Sequence, residues 1–270
     1  MKNCKQEPVE DTLWLKLYKA AEEEAKREPI LASYLYAIVL NHKTLEEALA
    51  FHLAGKLASS SLQPMLMREV IDQAFCESNK IGEEFRADLK AIHERDPAAY
   101  NFAEPFLHYK GFHALQSYRV AHWLWKSGRK GLASHLQNRI SELFGVDIHP
   151  AAQIGKGILI DHATSVVIGE TAVIEDDVSI LHEVTLGGTG NIVGDRHPKV
   201  RKGVLIGAGA KILGNVEIGE YSKIAAGSVV LTNIPPHSTA AGVPAKIIGK
   251  PFAEIPAHAM NQMLNKPRKR

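Results

Sequence analysis

Aspartate and histidine stand close together twice in the segment VDIHPAAQIGKGILIDHA, which begins at Val146. Asp147 precedes His149 by two residues, and Asp161 is followed directly by His162. A histidine with an unperturbed pKa of about 6.5 exchanges a proton near neutral pH, so such a pair suits general acid–base catalysis. The chain has 13 histidines and its turns are polar, so a structural role at turns stays open as an alternative.

A second group of chemically capable residues is basic and lies among glycines in the segment GGTGNIVGDRHPKVRKG. It contains Arg196, His197, Lys199, Arg201 and Lys202. A local cluster of this kind can bind an anionic group, and arginine can hold a carboxylate with two parallel hydrogen bonds. A solvated loop is the alternative interpretation.

The segment that carries these residues has a hydrophobic period of six, which neither a helix nor a single strand explains. Each anchor follows a small or β-branched residue by two positions in most cases. Six residues make one short strand and one turn, and three such units close a triangular coil of eighteen residues. The sequence therefore predicts a parallel β-solenoid of about four coils, stacked at strand spacing. The anchors are Ile148, Ile154, Ile160, Ile168, Ile174, Ile180, Leu186, Ile206, Ile212, Ile218, Ile224 and Val230.

The period breaks at two places, and repeat proteins commonly place such insertions on a functional face. The step from Ile160 to Ile168 is eight residues, so two residues are inserted beside His162. The step from Leu186 to Ile206 is twenty residues, so residues 187–203 are predicted to form an extruded loop.

The first part of the chain has a helical pattern instead. Leucines recur every fourth residue from Leu45 to Leu57, and Thr44 with Glu47 is typical of a capping box. Gly128 and Gly145 are predicted helix stops. We therefore expect an α+β chain with an all-α domain at residues 1–144, a β-helix domain at 145–250 and a flexible tail at 251–270.

Composition excludes several classes of protein. The 270 residues are 45% hydrophobic and 23% charged, as in a globular protein, and the net charge of +2 is too small to favour nucleic-acid binding. Cys4 and Cys76 are too few for a disulfide framework, so we expect them to be reduced. The apolar runs are too short for a membrane span and the first residues do not form a secretory signal, so we expect a cytoplasmic protein.

Several strings in the sequence resemble the bacterial serine acetyltransferase family. They are RDPA, KGFHALQSYRVAHWLW, DIHPAAQIGKGILIDHAT, VTLGGTG, GDRHPKV and AAGVPAKIIGKP, and they fall within residues 10–250. The resemblance implies a left-handed parallel β-helix that transfers acetyl from acetyl-CoA to the hydroxyl of L-serine in cysteine biosynthesis. It implies acetyl-CoA as a co-substrate, with no cofactor and no metal.

The resemblance also assigns roles to individual residues. His162 is expected to be the general base, oriented by Asp147, which lies fifteen residues earlier in the chain. Asp96 and Asp161 are expected to bind the ammonium group of serine, and Arg196 and His197 its carboxylate. A backbone N–H near Gly188 is expected to stabilise the oxyanion. For acetyl-CoA the candidates are Gly188, Thr189, Ala208, Lys223, Ala226 and Lys246.

The resemblance implies partners as well. The acetyl-CoA cleft lies between subunits in this family, so we expect a homotrimer or a hexamer made of two trimers, with L-cysteine as feedback inhibitor. Many members end in an isoleucine that enters O-acetylserine sulfhydrylase, whereas this chain ends in Arg270, so that complex is doubtful.

Three other functions stay open on the sequence. The first is an acetyltransferase for another hydroxyl acceptor, such as a sugar or a xenobiotic, although those enzymes usually lack the long helical domain. The second is a γ-type carbonic anhydrase, which needs histidine ligands that His149, His162, His182 and His197 do not present as a close pair. The third is a non-catalytic solenoid, against which the retained Asp, His and Arg residues argue.

Overall fold

The structure, a computed structural model, describes residues 11–190 and 193–264. Cys4 and Arg270, on which two of the expectations rest, lie outside the described residues. The chain forms two compact units, Met1–Tyr109 and Lys110–Arg270. Every helix in the described ranges is too short or too polar to span a lipid bilayer.

The first unit is all-helical. Thr44 Oγ1 accepts from Glu47 N at 3.2 Å at the start of α3, as a capping box requires, while Glu47 Oε2 accepts from Lys43 N at 2.9 Å. Arg86 on α5 (Asn79–Arg95) forms ion pairs with residues at the starts of two other helices. Its Nη2 lies 2.7 Å from Oδ2 of Asp11 and its Nη1 lies 2.6 Å from Oε1 of Glu46. The helices are α1 (Thr12–Arg27), α2 (Pro29–Leu35), a π-helical segment (Tyr36–Leu40), α3 (Leu45–Leu57), α4 (Pro64–Glu77), α5 (Asn79–Arg95) and α6 (Ala103–His108).

The second unit begins with two helices, α7 (Lys110–Lys126) and α8 (Lys130–Phe144), that pack on the solenoid. Tyr118 and Arg119 of α7 are buried and donate to main-chain carbonyls of the first coil, those of Ala152 at 2.5 Å and Gly155 at 2.7 Å. Helix α8 ends at Phe144 because Gly145, a predicted helix stop, caps it in the left-handed conformation with φ of 66°. The second compact unit begins at Lys110, the first residue of α7, because α7 and α8 pack on the first coil of the solenoid.

The solenoid is a three-faced prism of parallel strands. Face A has the order β1-β4-β7-β10-β13, face B β2-β5-β8-β11, and face C β3-β6-β9-β12-β14, with β15 antiparallel to β14. The strands are β1 (Val146–Ile148), β2 (Gln153–Ile154), β3 (Leu159–Ile160), β4 (Val166–Ile168), β5 (Val173–Ile174), β6 (Ser179–Ile180), β7 (Thr185–Gly187), β8 (Lys199–Val200), β9 (Leu205–Ile206), β10 (Lys211–Leu213), β11 (Glu217–Ile218), β12 (Lys223–Ile224), β13 (Val229–Val230), β14 (Thr239–Gly242) and β15 (Ala245–Gly249). A four-residue helix, α9 (Pro256–Ala259), follows.

The strand register confirms the predicted period. Ile168 pairs with Leu186 and Ile212 pairs with Val230, each eighteen residues further along the chain. All twelve predicted anchors are buried, so the stacked anchors form the core of the prism.

Face A has five strands, so the solenoid has about five coils rather than the predicted four. The parallel strands that were not predicted are β8, within the interruption of the six-residue repeat, and β14, beyond its last anchor. Strand β8 falls inside the range 187–203 that was predicted to be loop, and its Val200 is a fully buried anchor six residues before Ile206. The extruded segment is therefore shorter than predicted and runs from Gly188 to Pro198.

Candidate active site

The candidate residues lie at two different corners of the prism. The CA corner joins face C to face A and consists of residues 161–165, 181–184, 207–210 and 225–228 on successive coils. The AB corner joins face A to face B and consists of residues 149–152, 169–172, 188–198 and 214–216, apart from the undescribed 191–192. The two-residue insertion lies at the CA corner and the extruded loop at the AB corner.

The insertion at the CA corner turns His162 outward. His162, Ala163 and Ser165 all have positive φ, at 56°, 61° and 62°, which is uncommon for residues other than glycine. The turn is closed by Ala163 N donating to Asp161 O at 2.6 Å and Ser165 N donating to Gly145 O at 2.7 Å. Strained backbone of this kind is common at functional sites.

His162 is exposed in this turn, with 76% of its side chain accessible. Its Nε2 lies 3.9 Å from Oδ1 of Asp161, and its ring lies edge-on to the ring of His182 on the next coil, with centroids 5.8 Å apart. The ring is therefore free to meet a substrate while an acidic group lies beside it.

Asp147 lies on face A near the same corner but is not joined to His162. It pairs in register with Val167, five residues after His162, and its Oδ1 accepts a hydrogen bond from Gln137 Nε2 at 2.7 Å. Within the described residues the two side chains share neither a hydrogen bond nor an ion pair. The expected orienting role of Asp147 therefore stays a prediction.

Arg196 lies at the AB corner, held by a carboxylate. Its Nη2 donates to Glu170 Oε2 at 2.6 Å and its Nη1 to Gly194 O at 3.1 Å. The guanidinium lowers the pKa of the exposed Glu170 carboxyl, so this acid stays ionised at neutral pH.

His197, next to Arg196, is buried against the backbone of the preceding coil. Its ring lies directly on Gly169, where a Cβ atom would come within 2.0 Å of His197 Cδ2. Burial, followed by the charge of Arg196, lowers the pKa of His197 below its ordinary value. The ring is therefore neutral at physiological pH, which suits a hydrogen-bond donor better than a second cation.

One chain does not bring the expected serine-binding residues together. His162 with Asp161 and Arg196 with His197 are separated by the width of face A, roughly 15 Å at a strand rise of about 3.3 Å per residue. Asp96 belongs to the first unit, where it ends α5 and its Oδ1 accepts from Ala98 N at 2.9 Å. Its expected contact with the ammonium group stays a prediction.

The expected acetyl-CoA residues are spread over both corners and face C. Ala208 and Ala226 occupy equivalent positions of the CA corner on consecutive coils, while Gly188 and Thr189 begin the extruded segment at the AB corner. Lys246 is exposed on β15. The CA corner therefore carries a methyl side chain at the same position of two successive coils.

Lys223, the sixth of these residues, is covered by the C-terminal segment instead of being open to a phosphate. Its Nζ donates to the carbonyls of Asn261 at 3.3 Å and Met263 at 2.7 Å and lies 5.6 Å from the ring centre of Phe252. Burial lowers the pKa of this lysine. The contact was not predicted, because the tail at 251–270 was expected to be flexible.

Four residues that contact the candidate site residues were not predicted from the sequence. Gln137 bonds Asp147, while Glu170, Thr171 and Gly169 surround Arg196 and His197. The repeat could have indicated the last three residues. They occupy the AB corner one coil before the extruded segment, and a loop that leaves this corner lies next to them. No spacing rule points from helix α8 to Asp147.

The described residues contain no group of three His, Cys, Asp or Glu side chains arranged to hold a metal ion.

Comparison with known proteins identifies this arrangement. Residues 13–117 match the family model described as serine acetyltransferase, N-terminal, and residues 197–232 match bacterial transferase hexapeptide (six repeats). A serine acetyltransferase of Salmonella typhimurium is 54% identical over 94% of this chain and 93% of its own length. The crystal structure of the Vibrio cholerae serine acetyltransferase is 55% identical, covers 94% of this chain and 98% of its own, and has a TM-score of 0.93.

Related solved structures carry ligands. A serine acetyltransferase in complex with cysteine is 52% identical with a TM-score of 0.92, covering 94% of this chain and 98% of its own. The soybean enzyme complexed with serine is 54% identical with a TM-score of 0.86, covering 87% and 97%. The Brucella abortus enzyme in complex with coenzyme A is 52% identical with a TM-score of 0.88, covering 89% and 96%.

These likenesses confirm the expected fold, an all-α region followed by a left-handed parallel β-helix. With more than half of its residues identical to those of such enzymes over nearly its whole length, the chain belongs to the serine acetyltransferase family, acyltransferases that use acetyl-CoA as co-substrate.

Proposed function

We propose that this protein transfers the acetyl group of acetyl-CoA to the hydroxyl of L-serine, giving O-acetyl-L-serine and CoA in cysteine biosynthesis. The observation that carries the proposal is His162, which a two-residue insertion in the repeat holds outward beside Asp161 at the CA corner. Family membership supports the acetyl donor, and the soybean enzyme's complex with serine supports the acceptor.

His162 acts as the general base. A ring nitrogen removes the proton from the serine hydroxyl as its oxygen attacks the thioester carbonyl, a role worth typically about 10²–10⁴-fold in rate. The tetrahedral intermediate then loses CoA, whose sulfur receives the proton from the imidazolium. A backbone N–H near Gly188 donates to the oxyanion.

Asp147 orients and stabilises the imidazolium through its second carboxylate oxygen. Gln137 already bonds Oδ1, so Oδ2 is the atom that we assign to the second ring nitrogen of His162. The bond from Gln137 fixes the carboxylate of Asp147 without neutralising its charge, because an amide donates a hydrogen bond but is itself uncharged.

Serine is bound by its two charged ends. Asp96 and Asp161 receive the ammonium group, while Arg196 and His197 receive the carboxylate. Since the CA and AB corners of one chain are a face apart, we infer that the CA corner of one subunit meets the AB corner of a neighbour. A closed ring of this heterologous contact is a homotrimer.

The trimer contact places acetyl-CoA in the same cleft. Ala208 and Ala226 lie along the CA corner, where we expect the pantetheine arm of acetyl-CoA, and Gly188 and Thr189 lie near the thioester. Lys246 is exposed and can reach a phosphate directly, whereas Lys223 can do so only after the segment at 261–263 leaves it. Two trimers join through the helical region to form a hexamer.

L-cysteine inhibits the enzyme by competing at the serine site, since it carries the same ammonium and carboxylate groups. The complex of a related enzyme with cysteine supports this role. Cytoplasmic location stays an expectation.

The direct test is a thiol-release assay with acetyl-CoA and a panel of acceptors. We expect turnover with L-serine and little with galactosides, and we expect His162→Ala to lose at least about 10²-fold in turnover. Equal rates with serine and sugars would point to another hydroxyl acceptor. Near-normal turnover of His162→Ala would remove His162 from the role of base.

A further inference from the structure

Thr171, at the AB corner, is surrounded by hydrogen bonds to the two residues proposed to bind the serine carboxylate. Its Oγ1 accepts from the backbone N–H of Arg196 at 3.0 Å and from that of His197 at 3.1 Å. Its own backbone N lies 3.2 Å, and its Oγ1 2.9 Å, from His197 Nδ1. A single threonine therefore contacts both the main chain and the ring of the binding pair.

We propose that Thr171 is a positioning residue that holds His197 as the neutral tautomer protonated at Nε2, so that His197 meets the substrate carboxylate as an uncharged hydrogen-bond donor. This rests on the proposed function for the identity of the substrate, although the tautomer itself does not depend on it.

The tautomer follows from which atoms can donate. A backbone N–H is a donor only, so Nδ1 of His197 must be the acceptor of the bond from Thr171 N. The hydroxyl of Thr171 already accepts two backbone N–H groups, and its oxygen lies 2.9 Å from the same Nδ1, within reach for its own hydrogen. A neutral imidazole carries one proton, which therefore resides on Nε2.

The Nε2–H of His197 is the donor left for a ligand. Nε2 makes no hydrogen bond within the described residues, and it is not among their fully buried polar atoms that lack a partner. It lies 3.7 Å from where a Cβ on Gly188 would stand, at the start of the extruded segment. The same edge of the ring lies against Gly169, where a Cβ atom would come within 2.1 Å of Nε2, so glycine at 169 leaves the room that this nitrogen occupies.

Several charged groups surround the ring and must be counted in its titration. Burial and Arg196, with Lys199 and His149, lower the pKa of His197, whereas Glu170 raises it. The carboxylate of Asp195 lies beside the Thr171 hydroxyl and competes for its hydrogen. The backbone N–H of Thr171 cannot be diverted in this way, so Nδ1 remains an acceptor whichever direction the hydroxyl takes.

The tautomer is tested directly by magic-angle-spinning NMR of the full-length protein labelled with ¹⁵N-histidine. The His197 signals are those lost in His197→Gln. We expect an unprotonated Nδ1 and a protonated Nε2 at pH 7. A His197 signal protonated at Nδ1, or at both nitrogens, would overturn the proposal irrespective of the reaction that the enzyme catalyses.

The positioning role is tested by kinetics. Thr171→Val keeps the backbone N–H but loses three bonds of the hydroxyl, so we expect the KM for serine to rise about tenfold. The KM for acetyl-CoA should change less than about twofold, and Thr171→Ser should restore the serine KM. The serine KM of Thr171→Val should also change between about pH 6 and 7, where an unrestrained histidine titrates.

Thr239→Val is the matched control, because the Thr239 hydroxyl is buried in the same solenoid but has no hydrogen-bond partner among the described residues. This variant should behave as wild type. If Thr171→Val and Thr239→Val give the same serine KM and the same pH profile, Thr171 has no positioning role. If the wild-type protein does not acetylate serine, the proposed function is wrong, but the NMR test of the His197 tautomer stays valid.

Discussion

Gln137 and Asp147 are joined by a hydrogen bond of 2.7 Å between the amide Nε2 and the carboxylate Oδ1. Gln137 belongs to helix α8 and Asp147 to the first strand of the solenoid, so a helix outside the coils fixes the carboxylate that we assign to the catalytic histidine. If Asp147 orients His162 as we propose, the helix that covers the end of the solenoid also helps to position the base.

We expect Gln137→Leu to lower turnover about tenfold, because an amide bond to a charged acceptor is lost and the carboxylate gains freedom. The KM for serine should change little, since Gln137 is not among the substrate-binding residues. Steady-state kinetics measure both quantities. Gln153→Leu is the control, as Gln153 is an exposed residue of the same unit. Equal turnover in the two variants would show that Asp147 needs no support.

Gly169→Ala tests the packing of His197. The added methyl group would meet His197 Cδ2 at 2.0 Å, so the ring must move away from its position. A displacement of about 1 Å at a binding group can cost roughly 10²-fold, and we expect a loss of this order in kcat/KM for serine. Gly188→Ala, where the methyl would lie 3.6 Å or more from its neighbours, should cost less. The reverse order would contradict the assignment of His197.

Gly111→Ala tests how closely α7 lies on the solenoid. A Cβ at Gly111 would stand 2.0 Å from the carbonyl oxygen of Ile160, and such overpacking costs about 1–3 kcal/mol. Gly131 occupies the same second position in α8 with nothing within 4 Å, so Gly131→Ala should be neutral or stabilising. Thermal unfolding compares the two, and a Tm for Gly111→Ala at or above that of Gly131→Ala would contradict the contact.

His52, buried in the first unit, makes stability depend on pH. Burial, and then the charge of Lys56, lowers its pKa from 6.5 to about 3, while its Nε2 bonds the carbonyl of Leu107 at 3.2 Å. The unfolded chain binds a proton more readily than the folded one, so the free energy of unfolding is full above pH 6.5 and falls as pH decreases toward 3.

Urea unfolding at several pH values measures this dependence. In His52→Gln the amide of glutamine replaces the ring N–H as the donor to Leu107 but does not titrate. The free energy of unfolding of this variant should therefore fall less steeply between about pH 6.5 and 4 than that of wild type. An unchanged slope in the variant would assign the acid sensitivity to other groups.

The sequence predicted the solenoid because its anchors are periodic and one buried face fixes the register of every strand. Val200 was missed since the loop separates it from Leu186, although it stands six residues before Ile206. The packing of α7 and α8 on the first coil could not be read from a helical pattern, which shows that a face is apolar but not what it covers.

The site was predictable residue by residue only where the repeat breaks or a family string matches. His162 and Arg196 lie at the two interruptions, so the pattern itself singled them out. Gln137 bonds Asp147 from a helix outside the coils, and Thr171 bonds His197 on the neighbouring coil. Residue type alone does not reveal such partners. The covering of Lys223 by the tail was unpredictable for the same reason.

The central claim is that the base at the CA corner and the carboxylate-binding pair at the AB corner meet between subunits. Co-expressed His162→Ala and Arg196→Ala chains, each expected to be nearly inactive alone, test it in mixed oligomers purified by two tags. Each mixed trimer unites an intact His162 with an intact Arg196 from the neighbour in about a third of its sites, and hexamers selected by the two tags do so in about a quarter. We predict that roughly this fraction of wild-type turnover with L-serine returns; no recovery in verified mixed oligomers would contradict the account.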